Sequence, residues 1–167
     1  MSRDLEAREP SAGDGPTPAA SAPTTTAPRR RVLIVDDDPD FLAVAEASLE
    51  AHGFEVERAS GGLRGVFLAT QDVPDAVVCD LRMPGIDGFV VAEALRADPA
   101  TQRTAIIACT GRRDLEARAA SDGGTAFDAV LTKPVDWDEV ARFLGETIAS
   151  RRKSEAEGNT GGRRDAV

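Results

Sequence analysis

Residues 32–39 read VLIVDDDP: four consecutive apolar side chains, then three aspartates and a proline. A short, continuously apolar run is typical of a strand buried on both faces of a parallel sheet. The aspartates end the run abruptly, and Pro39 favours the first turn of a helix directly afterwards. The stretch therefore predicts a buried strand that passes into a helix at a cluster of acidic side chains.

The same strand-then-helix pattern recurs along the chain. Amphipathic stretches separate short apolar runs, and the clearest, Asp136–Ala149, repeats apolar residues at a helical spacing. The five apolar runs are Val32–Val35, Phe54–Ala59, Ala76–Cys79, Ala105–Cys109 and Ala129–Thr132. Alternating strands and helices predict an α/β fold with a parallel sheet and right-handed crossovers.

The segments at the two ends have a different composition. Residues 10–28 contain five prolines with many Ala, Ser and Thr residues, and no bulky aliphatic or aromatic side chain. Such a segment buries too little apolar surface to offset the entropy lost on ordering. We therefore predict a disordered leader at residues 1–30, one folded domain at residues 31–150 and a disordered tail at residues 151–167.

Charge and composition exclude several classes of protein. Residues 31–150 hold 22 acidic and 11 basic side chains, which argues against a nucleic-acid-binding domain. The sequence lacks both a long apolar run and a secretory signal, so we expect no membrane span and a cytoplasmic protein. A zinc site is excluded because the chain has one histidine, His52, and no Cys-x-x-Cys pair.

Cys79 and Cys109 are expected to be buried and reduced, although a disulfide is conceivable if their strands are neighbours.

Polar residues follow four of the five predicted strands. They are Asp36 to Asp38, Asp80, Thr110 and Lys133. In open α/β sheets, ligands bind outside the carboxyl ends of the strands, and these residues meet at that edge. The pattern therefore predicts one functional site.

Each of these residues also has an ordinary structural interpretation. Asp38 before Pro39 is typical of a helix N-cap, and we assign it that role. Asp36 and Asp37 repel each other unless a cation lies near them. Lys133 is one of two lysines in a chain with eighteen arginines, which suggests that a compact point charge is needed there.

Three carboxylates at one sheet edge predict a Mg²⁺ site, because this ion prefers oxygen ligands and is held by carboxylates together with phosphate. An aspartate can also act as a nucleophile and form an aspartyl phosphate. The side chains of Lys133 and Thr110 would then contact the phosphoryl oxygens. The cluster as a whole therefore predicts phosphoryl chemistry.

Four stretches together resemble the receiver domain of two-component response regulators. They are VLIVDDDP at residues 32–39, VVCDLRMPGIDG at residues 77–88, the pair Thr110–Gly111, and LTKP at residues 131–134. The resemblance implies a flavodoxin-like, doubly wound sheet of five parallel strands in the order 2-1-3-4-5, flanked by five helices.

The resemblance also implies how the site works. Asp80 would accept a phosphoryl group from a histidine kinase or phosphotransfer protein. Thr110 would be the switch hydroxyl that moves toward the phosphoryl group, and Lys133 would form a salt bridge with it.

A Mg²⁺ ion is implied by the same resemblance. Its protein ligands would be Asp37 and Asp80, the backbone carbonyl of Arg82, and Asp36, which would act largely through water. Pro84 and Gly88 match the turn that shapes the loop after Asp80.

One position departs from the family pattern. The family usually has an aromatic residue three positions before the lysine, and here that position is Val130, with Phe127 nearby. This leaves phosphorylation intact but puts the usual output mechanism in question. The predicted helix after Thr110 is rich in charge and has Leu115 as its main apolar anchor. It is either a solvated helix or a face for a partner protein.

The sequence therefore predicts a phosphorylation-dependent signalling switch, either a terminal output or a phosphorelay intermediate. We expect it to be no enzyme beyond its own phosphorylation and dephosphorylation. The residues after 150 are too few for an effector domain, so output by protein contact is expected.

A Mg²⁺-dependent phosphohydrolase is the alternative. Such an enzyme needs a second aspartate two residues after the nucleophile, and this chain has Arg82 there. A flavodoxin-type module would need a phosphate loop where the three aspartates stand.

Overall fold

The computed structural model of the protein describes residues 30–121 and 126–158. Within these residues, five parallel strands form one sheet. The strands are β1 (Arg31–Val35), β2 (Glu55–Ala59), β3 (Ala76–Asp80), β4 (Ala105–Thr110) and β5 (Ala129–Thr132). The spatial order is β2-β1-β3-β4-β5, which confirms the predicted fold class and strand order.

Five helices in the described part of the chain connect and follow these strands. They are α1 (Pro39–Ala51), α2 (Gly62–Gln71), α3 (Gly88–Ala97), α4 (Arg113–Ser121) and α5 (Trp137–Gly158). None of the helices in these two stretches is long and apolar enough to cross a membrane.

Two of the strands extend past the carboxyl ends of their apolar runs, and the extra residues there belong to the site. β3 includes Asp80 and β4 includes Thr110. In the register of the sheet, Asp80 pairs with Cys109 and Thr110 pairs with Thr132. Both side chains are therefore positioned by strand pairing and not by a loop.

Alternation along the strands divides the apolar core into two layers. Leu33 and Val35 pack on one face with α2, α3 and α4, and Val32 and Ile34 pack on the other face with α1 and α5. The two cysteines also lie on opposite faces, where both are buried and free. The disulfide that the sequence left conceivable is therefore not formed.

Helix α1 begins as predicted, and capping groups close both of its ends. Asp38 is the N-cap, and its Oδ1 accepts hydrogen bonds from the backbone N–H groups of Asp40 at 2.9 Å and Phe41 at 3.4 Å. Gly53 follows the C-cap with φ 86°, a left-handed conformation that glycine adopts without a steric penalty. Its N–H donates to the carbonyl of Glu50. Local signals fixed both ends of this helix because the capping groups lie within a few residues of it.

Helix α5 continues to Gly158, beyond the predicted domain end at residue 150. The first part of the predicted disordered tail is therefore helical. Two arginines in this extension bind carboxylates that precede strands: Arg151 pairs with Asp128, and Arg152 pairs with Asp75 at 2.7 Å. The sequence does not indicate these ion pairs, because composition carries no information about partners so distant along the chain. The leader at residues 1–29 and residues 159–167 lie outside the described residues.

Asp128 connects three elements at the amino end of the sheet. Its Oδ2 accepts the Ile106 backbone N–H at 2.7 Å and a guanidinium N–H of Arg96 at 3.0 Å. Its Oδ1 binds Arg151. Because one carboxylate, on a side chain that is 23% exposed, serves β4, α3 and α5, losing it leaves several donors without this acceptor.

We predict that Asp128→Ala lowers the free energy of unfolding by about 2–3 kcal/mol, since groups shielded from water lose hydrogen bonds to a charged acceptor. Urea denaturation of wild type and variant measures the difference. The matched control is Glu146→Ala, which removes an exposed pair with Arg142 inside α5 and is expected to cost less than about 0.5 kcal/mol. Equal losses in the two variants would contradict a connecting role for Asp128.

Candidate functional site

The carboxyl edge of the sheet carries a cluster of three aspartates. Carboxylate oxygens of Asp36, Asp37 and Asp80 lie within 4.8 Å of one another. Asp36 is 1% exposed, whereas Asp37 is open to solvent. Three oxygen ligands with one side open to water suit Mg²⁺, which binds through carboxylates and retains several waters. The donor set therefore fits the metal that the sequence predicts.

Asp80 ends β3 and is 8% exposed. Its Oδ2 accepts the backbone N–H of Arg82 at 3.0 Å, and its Oδ1 lies 3.3 Å from Nζ of Lys133. The following loop returns so closely that a Cβ added to Gly88 would lie 2.3 Å from the carbonyl oxygen of Asp80. A glycine is needed at this position because any side chain would collide with the backbone.

Lys133 follows β5 and reaches across to the other strands. Its Nζ donates to Oδ2 of Asp36 at 2.6 Å, in addition to the contact with Asp80. The structure therefore brings the predicted lysine and all three predicted aspartates together, although 97 residues separate Lys133 from Asp36.

Burial and charge change the pKa values of the two central groups in the same direction. Burial raises the pKa of Asp80 above the ordinary aspartate value of 3.8; Lys133 opposes this effect and Asp36 adds to it. Burial alone would lower the pKa of Lys133, but its hydrogen bond to Asp36 and the charges of Asp36 and Asp80 raise it. Lys133 therefore stays cationic at neutral pH, beside a carboxylate that is costly to ionise.

Thr110 lies one residue beyond the strand partner of Asp80 and is fully buried. Its Oγ1 accepts the backbone N–H of Arg112 at 3.2 Å, and its carbonyl accepts the N–H of Lys133 at 2.8 Å. The hydroxyl is thus coupled to the loop that leads into α4. Arg82 is exposed, and the proposed ligand role of its carbonyl stays a prediction.

The two cysteines next to the site are chemically inert. Cys79 precedes Asp80, and burial, reinforced by the charge of Asp80, raises the pKa of its thiol far above the ordinary value. Burial raises the pKa of Cys109 to about 12. Because the thiolate is the reactive form of cysteine, neither side chain competes with the carboxylates at neutral pH.

The sequence analysis missed two aromatic residues at this site. The ring of Phe41, in the first turn of α1, lies 3.9 Å from Nζ of Lys133. Trp137, in the first turn of α5, packs on Phe41 with ring centroids 5.4 Å apart and an angle of 52°. In the sequence, both are recognisable only as apolar residues of helical stretches. Both helices begin at the sheet edge that carries Lys133, and this was the sequence signal that could have indicated a role for their first-turn residues near the site.

Val130 stands at the position where the family usually has an aromatic residue. Val130 packs, partly buried, against the layer of α2, α3 and α4. Phe127 is buried and contacts Phe89 edge to face, with centroids 5.6 Å apart. The guanidinium of Arg118 lies 3.9 Å from the same Phe89 ring. Together with the buried Ala119, these contacts attach α4 more firmly than its charged sequence indicated.

The comparisons with known proteins agree with this geometry. A family model described as "Response regulator receiver domain" matches residues 32–144. Protein PilH of Pseudomonas aeruginosa is 36% identical over 119 residues, which cover 71% of this chain and 98% of PilH. The match therefore extends over nearly the whole of that relative.

Other relatives match over part of their length. The DNA-binding dual master transcriptional regulator RpaA of Synechocystis is 36% identical over 111 residues, covering 66% of this chain and 45% of RpaA. The chain thus spans less than half the length of that relative.

Among solved structures, the receiver domain of the sensor histidine kinase PA1611 of Pseudomonas aeruginosa is similar at 29% identity and a TM-score of 0.65. The match covers 72% of this chain and 98% of that one, and that crystal structure has a magnesium ion coordinated in its active site cleft. With the sheet order, the acidic cluster and the matched family model in agreement, this chain belongs to the family of response regulator receiver domains.

Proposed function

We propose that this chain is a phosphorylation-dependent switch of a two-component or phosphorelay system in which Asp80 is the phosphoacceptor. The observation that carries the proposal is the position of Lys133, whose ammonium group contacts both Asp36 and Asp80 at the edge of the acidic cluster. A cation next to the nucleophile is suited to neutralise the charge that a phosphoryl group brings to three carboxylates.

The proposed reaction forms one bond and breaks another. An Oδ atom of Asp80 forms a bond with phosphorus, and the bond from phosphorus to the donor breaks. The donor keeps that electron pair and leaves as a histidine side chain or, with acetyl phosphate, as acetate. The product is a mixed anhydride of the aspartate carboxyl group and phosphate.

Asp36, Asp37, Asp80 and the backbone carbonyl of Arg82 would hold the Mg²⁺ ion. When bound, the ion supplies positive charge to the acidic cluster and to the incoming phosphoryl oxygens. The protein groups fix the three carboxylates at the strand ends, so that little reorganisation is needed when the donor arrives.

Thr110 would transmit the change. Its hydroxyl now accepts the N–H of Arg112, and after phosphorylation it would donate to a phosphoryl oxygen. Moving the hydroxyl weakens its bond to Arg112 and alters the start of the loop into α4. This couples the site to a helix that packs through Leu115 and Ala119.

Partners and location follow the same proposal. A histidine kinase or phosphotransfer protein would supply the phosphoryl group in the cytoplasm, and other proteins would detect the change by contact. The acidic excess over residues 31–150 argues against nucleic acid as the direct target. Apart from its own phosphorylation and dephosphorylation, we expect no catalysis. A phosphohydrolase is not favoured, because Arg82 supplies no carboxyl group as general acid.

We expect purified protein incubated with Mg²⁺ and acetyl phosphate to gain one phosphoryl group on Asp80, as measured by intact mass and by a radiolabel. Chelating the metal should abolish the label. Asp80→Asn should remain unlabelled, and Asp40→Asn, which changes an exposed aspartate near the site, should be labelled normally. A label that persists in Asp80→Asn would overturn the assignment, and turnover of generic phosphomonoesters would favour the hydrolase.

We also expect Asp80→Asn to stabilise the metal-free protein at neutral pH. When the pKa of a carboxyl group is higher in the folded than in the unfolded protein, the protonated group stabilises the fold. That stability is present below the unfolded pKa and is lost as pH rises through the folded pKa. At pH 7 the ionised Asp80 therefore weakens the fold, and the amide removes this cost. Thermal unfolding with chelator should show a Tm higher by a few degrees at pH 7, with a smaller gain as pH falls toward about 4. A lower Tm at pH 7 would contradict the expected sign.

A further inference from the structure

The environment of the Lys133 ammonium group includes a neutral partner that the proposed function leaves without a role. The carboxylate of Asp36 accepts a hydrogen bond from Nζ at 2.6 Å, and Oδ1 of Asp80 lies 3.3 Å from the same atom. The ring of Phe41 lies 3.9 Å from the same atom. That distance is well inside the range in which the negative face of an aromatic ring attracts a cation.

The ring of Phe41 is held in place by two helices. Its backbone N–H donates to the N-cap Asp38 at the start of α1, and Trp137 at the start of α5 packs against the ring. Both rings are partly buried against the apolar layer between these helices and the sheet. The ring therefore stays where it is unless the packing between α1 and α5 changes.

A π face and a carboxylate hold an ammonium group in different ways. The carboxylate of Asp36 accepts a short, directional hydrogen bond and is also a candidate metal ligand. The ring attracts the charge without accepting a directed bond. It can therefore keep Nζ near the cluster while the N–H groups turn from the carboxylates toward phosphoryl oxygens.

We propose that Phe41, supported by Trp137, is a positioning residue that holds Lys133 for contact with the phosphoryl group on Asp80. The proposal rests on the role of Lys133 in the proposed function. Phe41 does not touch the reacting atoms; it acts through the lysine.

A purely structural role for Phe41 makes a different prediction. If the ring only fills space between α1 and α5, a leucine of similar apolar character should preserve function wherever it preserves the fold. If the π face matters, Phe41→Leu should impair the site and Phe41→Tyr, which retains the ring, should not. The two substitutions therefore separate the π face from the apolar volume.

The first measurement observes Lys133 directly in the metal-free, unphosphorylated chain. With ¹³C-labelled lysine, the two lysines, Lys133 and Lys153, give separate CεH₂ signals by NMR. The Lys133 protons should be shifted upfield by the ring current of Phe41, while Lys153 serves as an internal reference. Phe41→Leu should abolish this upfield shift and Phe41→Tyr should retain it. An unchanged Lys133 signal in Phe41→Leu would overturn the proposal.

The second measurement is the rate of phosphorylation by acetyl phosphate at saturating Mg²⁺. Phe41→Leu should slow it about fivefold, equivalent to about 1 kcal/mol at about 1.4 kcal/mol per factor of ten. Phe41→Tyr should restore a near wild-type rate. Phe143→Leu, which changes another phenylalanine packed against the same apolar layer, is the matched control and should react at the wild-type rate. Urea denaturation verifies that each variant is folded under assay conditions.

The outcomes distinguish this inference from the proposed function. If Lys133→Ala is phosphorylated as fast as wild type, the role of Lys133 fails and the inference fails with it. If Lys133→Ala is phosphorylated slowly while Phe41→Leu and Phe41→Tyr are phosphorylated at the same rate as each other, the inference alone is wrong.

The single tryptophan of the chain, Trp137, gives a further readout. Its fluorescence should respond to beryllofluoride in wild type and respond less in Phe41→Leu.

Discussion

The salt bridge from Lys133 to Asp36 is the interaction on which the carboxyl edge of the sheet depends. Three aspartates with carboxylate oxygens within 4.8 Å would repel one another strongly in a site where Asp36 is 1% exposed. Lys133, which follows the edge strand β5, offsets part of that repulsion. This allows charged groups from β1, β3 and β5 to lie together at the carboxyl edge. A buried ion pair adds little net stability when its desolvation is included. The contact between Lys133 and Asp36 is therefore better explained by the chemistry of the site than by the stability of the fold.

The sequence predicted the sheet and the acidic cluster well because both depend on local signals. A strand buried on both faces must be apolar throughout, so a polar residue such as Asp80 or Thr110 marks its end. Parallel strands then place their carboxyl ends at one edge, whatever their separation along the chain. The caps of α1 were predictable for the same reason, since Asp38 and Gly53 act on groups within a few residues.

The features that the sequence analysis missed depend on contacts between distant segments. The extension of α5 is held by Asp75 and Asp128, and nothing in the composition of residues 151–158 indicates those partners. Phe41 was visible as an apolar residue of a helical stripe, but its contact with Lys133 requires the relative placement of α1 and β5. Arg118 against Phe89 is a similar case. Periodicity shows which face of a helix is buried, but it does not show which side chain across the interface meets it.

The course of α5 determines where the two ends of the described chain lie relative to the site. The helix starts at the carboxyl edge, where Trp137 meets Phe41, and reaches the amino edge, where Arg152 binds Asp75. Arg30, the first described residue, lies at the amino edge as well, where its carbonyl accepts the N–H of Glu55 at the start of β2. Both termini of the folded unit thus emerge at the side opposite Asp80. A surface tether or a fluorescent tag joined directly before Arg30 or directly after Gly158 therefore begins on that opposite side and leaves open the face that receives the phosphoryl donor.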